Sequence, residues 1–230
     1  MMTIWNDILQ LFFPPLCKIC KKALRKGEEQ ICLHCLCDLP QTRFHLLKTD
    51  NPVEQLFYGR IEFRHATSFL HYEKKSAVQK LIHSLKYYDN KELGYLLGRM
   101  AARELQMANH PICQVDYLIP VPLHPRKKRK RGYNQAEWIA KGLQSVWNCP
   151  VRTDLLERTL YTESQTRKSG FERWGNTRGS FSALSPGELE NKHILIVDDV
   201  ITTGSTIEAC ARALSDIPDI GISLFSLAVV

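Results

Sequence analysis

ILIVDDVITTGST, residues 194–206, passes from four branched apolar residues to two adjacent aspartates and then into small and hydroxylated residues. A short run such as ILIV reads as a fully buried strand. TIEACARALSDI (206–217) reads as a helix, with Ile207, Cys210, Ala211 and Leu214 along one face. In an open parallel sheet, ligands bind in the crevice at the carboxyl ends of the strands. The strand is therefore expected to deliver Asp198 and Asp199 to that edge. Thr202, Thr203, Gly204, Ser205 and Thr206 would then form the turn into the helix, where unpaired N–H groups and a partial positive charge favour a phosphate. The carboxylates suit vicinal hydroxyls or, through the ribose or water, a magnesium ion. One ligand satisfies both ends: a ribose 5-phosphate with its diol on the aspartates and its phosphate in the turn. A purely structural aspartate pair is the alternative, at the cost of two adjacent charges that repel. The chain contains no Gly-Lys-Ser/Thr and no GxGxxG after a strand, which argues against a P-loop and a dinucleotide site.

The pattern around this stretch alternates. RIEFRHATSFLHY (60–72), VDYLIPVP (115–122), VRTDLLE (151–157) and GISLFSLAVV (221–230) read as strands. SAVQKLIHSLKYY (76–88), ELGYLLGRMAARELQM (92–107) and NQAEWIAKGLQSVW (134–147) have helical spacing. Strands alternating with helices of this length predict an α/β domain with a mainly parallel sheet flanked by helices.

The chain has 230 residues, 44% of them hydrophobic and 24% charged, an ordinary composition for a protein with a packed core. Its net charge of +7 is local. Arg126, Lys127, Lys128, Arg129, Lys130 and Arg131 are consecutive, and without them 25 basic residues face 24 acidic ones. This loop-sized segment serves either a polyanion or a solvated charged surface.

Cys17, Cys20, Cys32 and Cys35 form two CxxC pairs, a spacing that suits one tetrahedral zinc ion and leaves no open coordination position. His34 and Cys37 are nearby substitutes, whereas Cys113, Cys149 and Cys210 are scattered. MMTIWNDILQLFFPP lacks a basic leader and breaks at Pro14-Pro15, so an amphipathic helix is expected rather than a signal peptide or a membrane insertion. Disulfides are then disfavoured, and a reducing cytoplasmic location is expected. The division follows: an N-terminal helix and zinc-ribbon-like module over residues 1–50, and the α/β domain over residues 51–230.

Residues 157–182 carry few apolar residues and three glycines, with Arg158, Arg167, Lys168, Arg173 and Arg178, and with Gln165 and Asn176 among them. A connection this long is usually a working lid or a disordered insertion.

ILIVDDVITTGST resembles the phosphoribosyl pyrophosphate (PRPP) signature of the type I phosphoribosyltransferases. Together with IPVPLHPRKKRKRGYNQAEWIA, RTLYTESQ…R…GNTRGSF and the paired CxxC knuckles, the chain resembles the competence-associated ComF family over roughly residues 15–230. It departs from the family pattern where Lys21 and Leu36 follow the knuckles in place of glycine, and where Tyr88-Asp89-Asn90 follows Lys86-Tyr87. The resemblance implies a type I phosphoribosyltransferase fold. It implies pyrophosphate contacts from residues 123–135, chiefly Arg126, Arg129, Arg131, Gly132, Asn134 and Gln135. It also implies a catalytic loop acting through Arg158, Gln165, Arg173 and Asn176 beside Asp198 and Asp199. Purine-salvage members carry an aspartate where Thr202 stands, so 6-oxopurine salvage is not expected. Two function classes remain. One is magnesium-dependent transfer of ribose 5-phosphate from PRPP to an acceptor. The other is a binding module for PRPP, a nucleotide or single-stranded DNA, with the competence machinery supplying protein partners.

Overall fold

The computed structural model describes residues 13–47, 49–87, 90–159 and 180–230. The helix expected at the N-terminus, together with Gln165, Arg173 and Asn176, lies outside them. Among the described residues no helix is long and apolar enough to cross a membrane.

The helices are α1 (Leu33–Cys37), α2 (Pro52–Phe57), α3 (Ala77–Tyr87), α4 (Lys91–Met107), α5 (Pro125–Arg131), α6 (Gln135–Trp147) and α7 (Ser205–Arg212). The strands are β1 (Ala66–His71), β2 (Tyr117–Pro120), β3 (Leu156–Arg158), β4 (Phe181–Ala183), β5 (His193–Ile201) and β6 (Gly221–Val229). Four of them form one parallel sheet in the order β1-β6-β5-β2, and β3 pairs antiparallel with β4 in a second, two-stranded sheet. All nine residues of β6 are buried, as a strand covered on both faces requires.

The two-residue period of a strand assigns each side chain to a layer. Leu195, Val197, Phe225 and Leu227 share a core with α3, α4 and α6. Ile194, Ile196, Ile222 and Leu224 share the other with α2, α7 and the β3–β4 pair. The contact of α4 with α6 depends on glycine: a Cβ on Gly98 would stand 2.2 Å from the Ile139 carbonyl oxygen, and one on Gly142 2.3 Å from that of Tyr95.

Several expectations are corrected here. The strand expected over residues 60–72 begins only at Ala66. Val151 makes a single parallel bridge to Leu118 at the outer edge of β2, and the rest of the expected strand departs to form β3. The basic run is not a loop but the helix α5. His124 caps it, Nδ1 accepting from the Arg126 N–H at 3.2 Å, Pro125 occupies its first turn, and Gly132 (φ 80°) ends it. Lysine and arginine are good helix formers, and with both ends capped the run coils despite its charge. Finally, β5 does not stop at Val197. It pairs with β6 as far as Ile201↔Val229, so both aspartates lie within the strand.

The connections fix where a ligand crevice opens. After β2 the chain passes through α6 on one face and returns at Val151, outside β2. After β5 it passes through α7 on the other face and returns as β6, on the opposite side. The direction of winding therefore reverses between β2 and β5, the topological switch point at which open α/β sheets bind ligands. Beyond Pro120, which pairs with Val197, β5 runs on beside β6 but without β2, along that crevice.

Candidate functional site

At the switch point, α5 follows β2 and the turn of residues 202–205 follows β5. Asp198 and Asp199 are successive strand residues, so they point to opposite faces. Asp199 belongs with α3: Lys86 Nζ lies 3.0 Å from its Oδ2. Asp198 belongs with β3 and α7, where Arg158 and Cys210 share its electrostatic surroundings. Burial and the Asp199 charge push the Asp198 carboxyl up to about 7. The Asp199 N–H, which donates to Asp198 Oδ1 at 2.8 Å, acts against that rise together with Lys86 and Arg158. Arg158 ends β3 with its guanidinium 5.1 Å from the centre of the Phe181 ring, and burial holds it below its ordinary value.

The turn after β5 is built for close approach. Gly204 caps α7 at φ 75°, and Thr203 Oγ1 shares a hydrogen bond with Ser205 Oγ at 2.9 Å. A concavity of about 30 Å³ is lined by Asp198, Val200, Ile201 and residues 202–207. Arg60 holds this turn from behind. Its Nη1 donates to the carbonyls of Thr203 (2.9 Å) and Leu56 (3.0 Å), and its Nε donates to Glu208 Oε2 at 3.0 Å. Glu208 also receives Arg212, whose Nη2 returns to the Arg60 carbonyl at 2.6 Å. Sequence reasoning missed Arg60 because it placed that residue in a strand.

On the β2 side the six cations divide by helical face. Lys127 and Arg131, four residues apart, are half-buried, whereas Arg126, Lys128, Arg129 and Lys130 are exposed. Burial lowers the Lys127 ammonium, and the charges of Arg158, Arg131 and Lys86 lower it further, so these four cations are close enough to act on one another. Arg131 Nη1 donates to Gln135 Oε1 at 3.0 Å, while the buried Gln135 Nε2 has no hydrogen-bond partner among the described residues. Asn134 is committed locally. Its Oδ1 caps α6 through the Ala136 N–H (3.2 Å) and its Nδ2 donates to the Val121 carbonyl (3.0 Å), just beyond β2.

A second centre lies in the N-terminal segment. The Sγ atoms of Cys17, Cys20, Cys32 and Cys35 all lie within 4.8 Å of one another, and Cys20 and Cys32 are 3.7 Å apart. A zinc–sulfur bond of about 2.3 Å in a tetrahedron requires about 3.8 Å between sulfurs, and a disulfide about 2.05 Å, so the spacing fits a shared ion and not a crosslink. Burial and the three neighbouring sulfurs push the Cys35 thiol up to about 12. Burial also opposes the Cys17 thiolate, but the Cys20, Cys32 and Ile19 N–H groups outweigh it and bring Cys17 down to about 6. Four thiolates in this volume call for a cation. Lys21 takes φ 63° itself, supplying the turn for which related ribbons use glycine, and the second knuckle is placed on α1. His34 pairs with Asp38 at 3.2 Å and Cys37 is exposed, so neither joins the cluster. Cys17, Ile31 and Leu39 enter the same core as α3, α4 and α6.

Comparison with known proteins agrees with this architecture. A family model described as "Phosphoribosyl transferase domain" matches residues 129–217, from α5 to just past α7. The DNA utilization protein YhgH of Escherichia coli K12 is 28% identical over 218 residues, covering 89% of this chain and 92% of that protein. Competence protein F of Haemophilus influenzae is 31% identical over 141 residues, 58% of this chain and 62% of that protein. Competence protein ComFC of Bacillus subtilis is 31% identical over 97 residues, 42% and 37% of the two chains. Among solved structures, the glutamine PRPP amidotransferase of B. subtilis aligns with a TM-score of 0.43 at 18% identity, over 64% of this chain and 30% of its own. The doubly wound sheet and the matching domain model give the chain a type I phosphoribosyltransferase fold, and these relatives, with the four-cysteine cluster, support its likeness to the ComF family.

Proposed function

We propose that this protein binds PRPP with magnesium in the β2–β5 crevice and transfers its ribose 5-phosphate to an acceptor. The observation that carries this reading is the polarity of the crevice. Two carboxylates on β5 lead within six residues to a glycine-capped helix N-terminus, and Lys127, Arg131 and Arg158 stand across from them. In this reading Thr202–Thr206 take the 5-phosphate through their N–H and hydroxyl groups. Asp198 and Asp199 accept from the ribose hydroxyls and hold magnesium, directly or through water. A bound magnesium ion there supplies positive charge for the pyrophosphate leaving group. The cations of α5 and Arg158 take the rest of that charge; the bond from the ribose C1 to pyrophosphate breaks, and the acceptor forms its bond to the same carbon. Gln165, Arg173 and Asn176 are assigned to closing over the sugar and excluding water from its oxocarbenium-like state. A structural zinc at Cys17, Cys20, Cys32 and Cys35 completes the cofactors.

A second reading is favoured by the outer face of α5. Arg126, Lys128, Arg129 and Lys130 are exposed to solvent, and relatives bear names in DNA utilization and competence. Single-stranded DNA on that face would be held by phosphate contacts.

Calorimetric titration with PRPP, with and without magnesium, tests the first reading. Magnesium-dependent binding that is lost in Asp198→Asn/Asp199→Asn is expected, and a double variant with unchanged affinity refutes the clamp. For the second reading, Lys128→Gln/Lys130→Gln should flatten the salt dependence of single-strand binding by about 0.7 in log–log slope per lost phosphate contact.

A further inference from the structure

The sequence reading gives Lys86 no role, yet the structure places it beside Asp199 in the crevice. It is in the last turn of α3, where a cation complements the helix dipole. Its ammonium reaches across to Asp199 on β5 at 3.0 Å, with the two side chains 25% and 14% exposed. Its placement is held from the other side of the crevice. The buried Tyr133 hydroxyl donates to the Leu85 carbonyl, tying the end of α3 to the segment that follows α5. Next along the chain, the buried Asn90 Nδ2 donates to Ser84 Oγ at 3.2 Å. The end of α3 is thus tied to the segment that follows the basic helix, and Lys86 lies close enough to lower the Lys127 ammonium, after Arg158 and Arg131.

We propose that Lys86 is a pyrophosphate-binding residue whose ion pair with Asp199 must open before a divalent cation reaches that carboxylate. This inference rests on the PRPP reading and adds to it an order of events. Lys86 satisfies Asp199 with one charge. Magnesium brings two to the same carboxylate and, with PRPP, a polyanion beside it. The ammonium then has a better acceptor in the pyrophosphate oxygens, a short swing from its pairing with Asp199. A lysine suits this exchange, being a compact charge on a flexible stem with three donors.

Lys86→Met and Lys86→Arg, titrated with magnesium–PRPP and with magnesium–ribose 5-phosphate, test it. Lys86→Met should lose roughly tenfold or more in PRPP affinity, the expected effect of one charge-assisted contact. The same variant should bind ribose 5-phosphate as well as wild type or better, and need less magnesium for half-saturation, because the competing ammonium is gone. Lys86→Arg should keep PRPP affinity within about threefold. The inference is overturned if Lys86→Met binds PRPP like wild type, or if it loses both ligands equally at an unchanged unfolding midpoint. A variant with a lowered midpoint is replaced by Lys86→Gln, read in the same way. Should Asp198→Asn/Asp199→Asn abolish PRPP binding while Lys86→Met does not weaken it, this inference fails and the PRPP reading stands. Should wild type bind no magnesium–PRPP, both fail together.

Discussion

Gly204→Ala is the sharpest test of how the β5 turn is built. Gly204 sits at φ 75°, and a Cβ there would stand 2.7 Å from Phe57 Cε1 and 2.8 Å from Cζ. Two costs follow. A left-handed conformation in a residue with a Cβ costs about 1–2 kcal/mol, and overpacking a filled site costs about 1–3 kcal/mol. Phe57 cannot retreat cheaply: it is fully buried, packed on Phe63 at 6.4 Å between ring centres, and lies 5.5 Å from the Arg60 guanidinium. A loss of about 3 kcal/mol is expected, or about 6–12 °C in thermal midpoint for a chain of this size. Phe57→Leu shortens the opposing side chain, so the double variant should recover about 1–2 kcal/mol relative to the sum of the singles and leave mainly the backbone cost. Urea unfolding of the four proteins measures this coupling. Because Arg60 touches both the Phe57 ring and the Thr203 carbonyl, ribose 5-phosphate affinity should fall with Gly204→Ala and partly return in the double variant. A Gly204→Ala protein within about 0.5 kcal/mol of wild type, or a strictly additive cycle, refutes the account.

Elemental analysis of freshly reduced protein should find about one zinc per chain, and Cys20→Ser should lower both that figure and the thermal midpoint, since Cys17 shares the main core; reduced wild type without metal rules the zinc site out. Arg60→Met should weaken ribose 5-phosphate about tenfold by releasing the Thr203 carbonyl, with the fold kept by the remaining Glu208–Arg212 pair, as circular dichroism would show. Burial, followed by the His65 and His45 charges, holds the buried His110 down to about 4, so the unfolded chain takes up a proton below about pH 6.5 that the folded chain refuses. Stability present above pH 6.5 should therefore decline toward pH 4 by up to about 1.4 kcal/mol per pH unit. His110→Asn, which retains an acceptor for the Ile112 N–H, should flatten that decline in urea titrations at pH 7, 5.5 and 4.5. Asp198→Asn removes a charge that burial disfavours and should raise the magnesium-free thermal midpoint, whereas Asp199→Asn deprives Lys86 of its partner and should lower it; shifts of the same sign would show that the carboxylates share one environment.

What could be read from the sequence follows the range of the interactions involved. ILIV and GISLFSLAVV announce buried strands because their own composition decides it, and CxxC…CxxC announces the sulfur cluster because ligand spacing is local. The helicity of residues 125–131 was also locally signalled, by Pro125 at the start and Gly132 at the end, but six like charges suggested a loop. What remained hidden depends on distant partners. The β-branched and aromatic residues after Arg60 read as a strand, and its role appears only when Thr203 and Glu208, more than 140 positions away, come to meet it. Lys86 meets Asp199 only because α3 packs on one particular face of β5.

The aspartate pair shows why a motif read as a unit divides on folding. Adjacent in sequence, Asp198 and Asp199 read as one joint site at the end of a strand. Pairing with β6 extends that strand through both of them, and a strand alternates its side chains. Each carboxylate then answers to a different layer: Asp199 to α3 and, through Tyr133 and Leu85, to the basic helix; Asp198 to Arg158 at the base of the β3–β4 pair. A shift of the β3–β4 pair would reach the crevice through Arg158 and Asp198, and a shift of α3 would reach it through Asp199. The extension of β5 past β2 therefore does more than expose two charges. It connects the two layers of the domain at the one place where the winding of the sheet reverses.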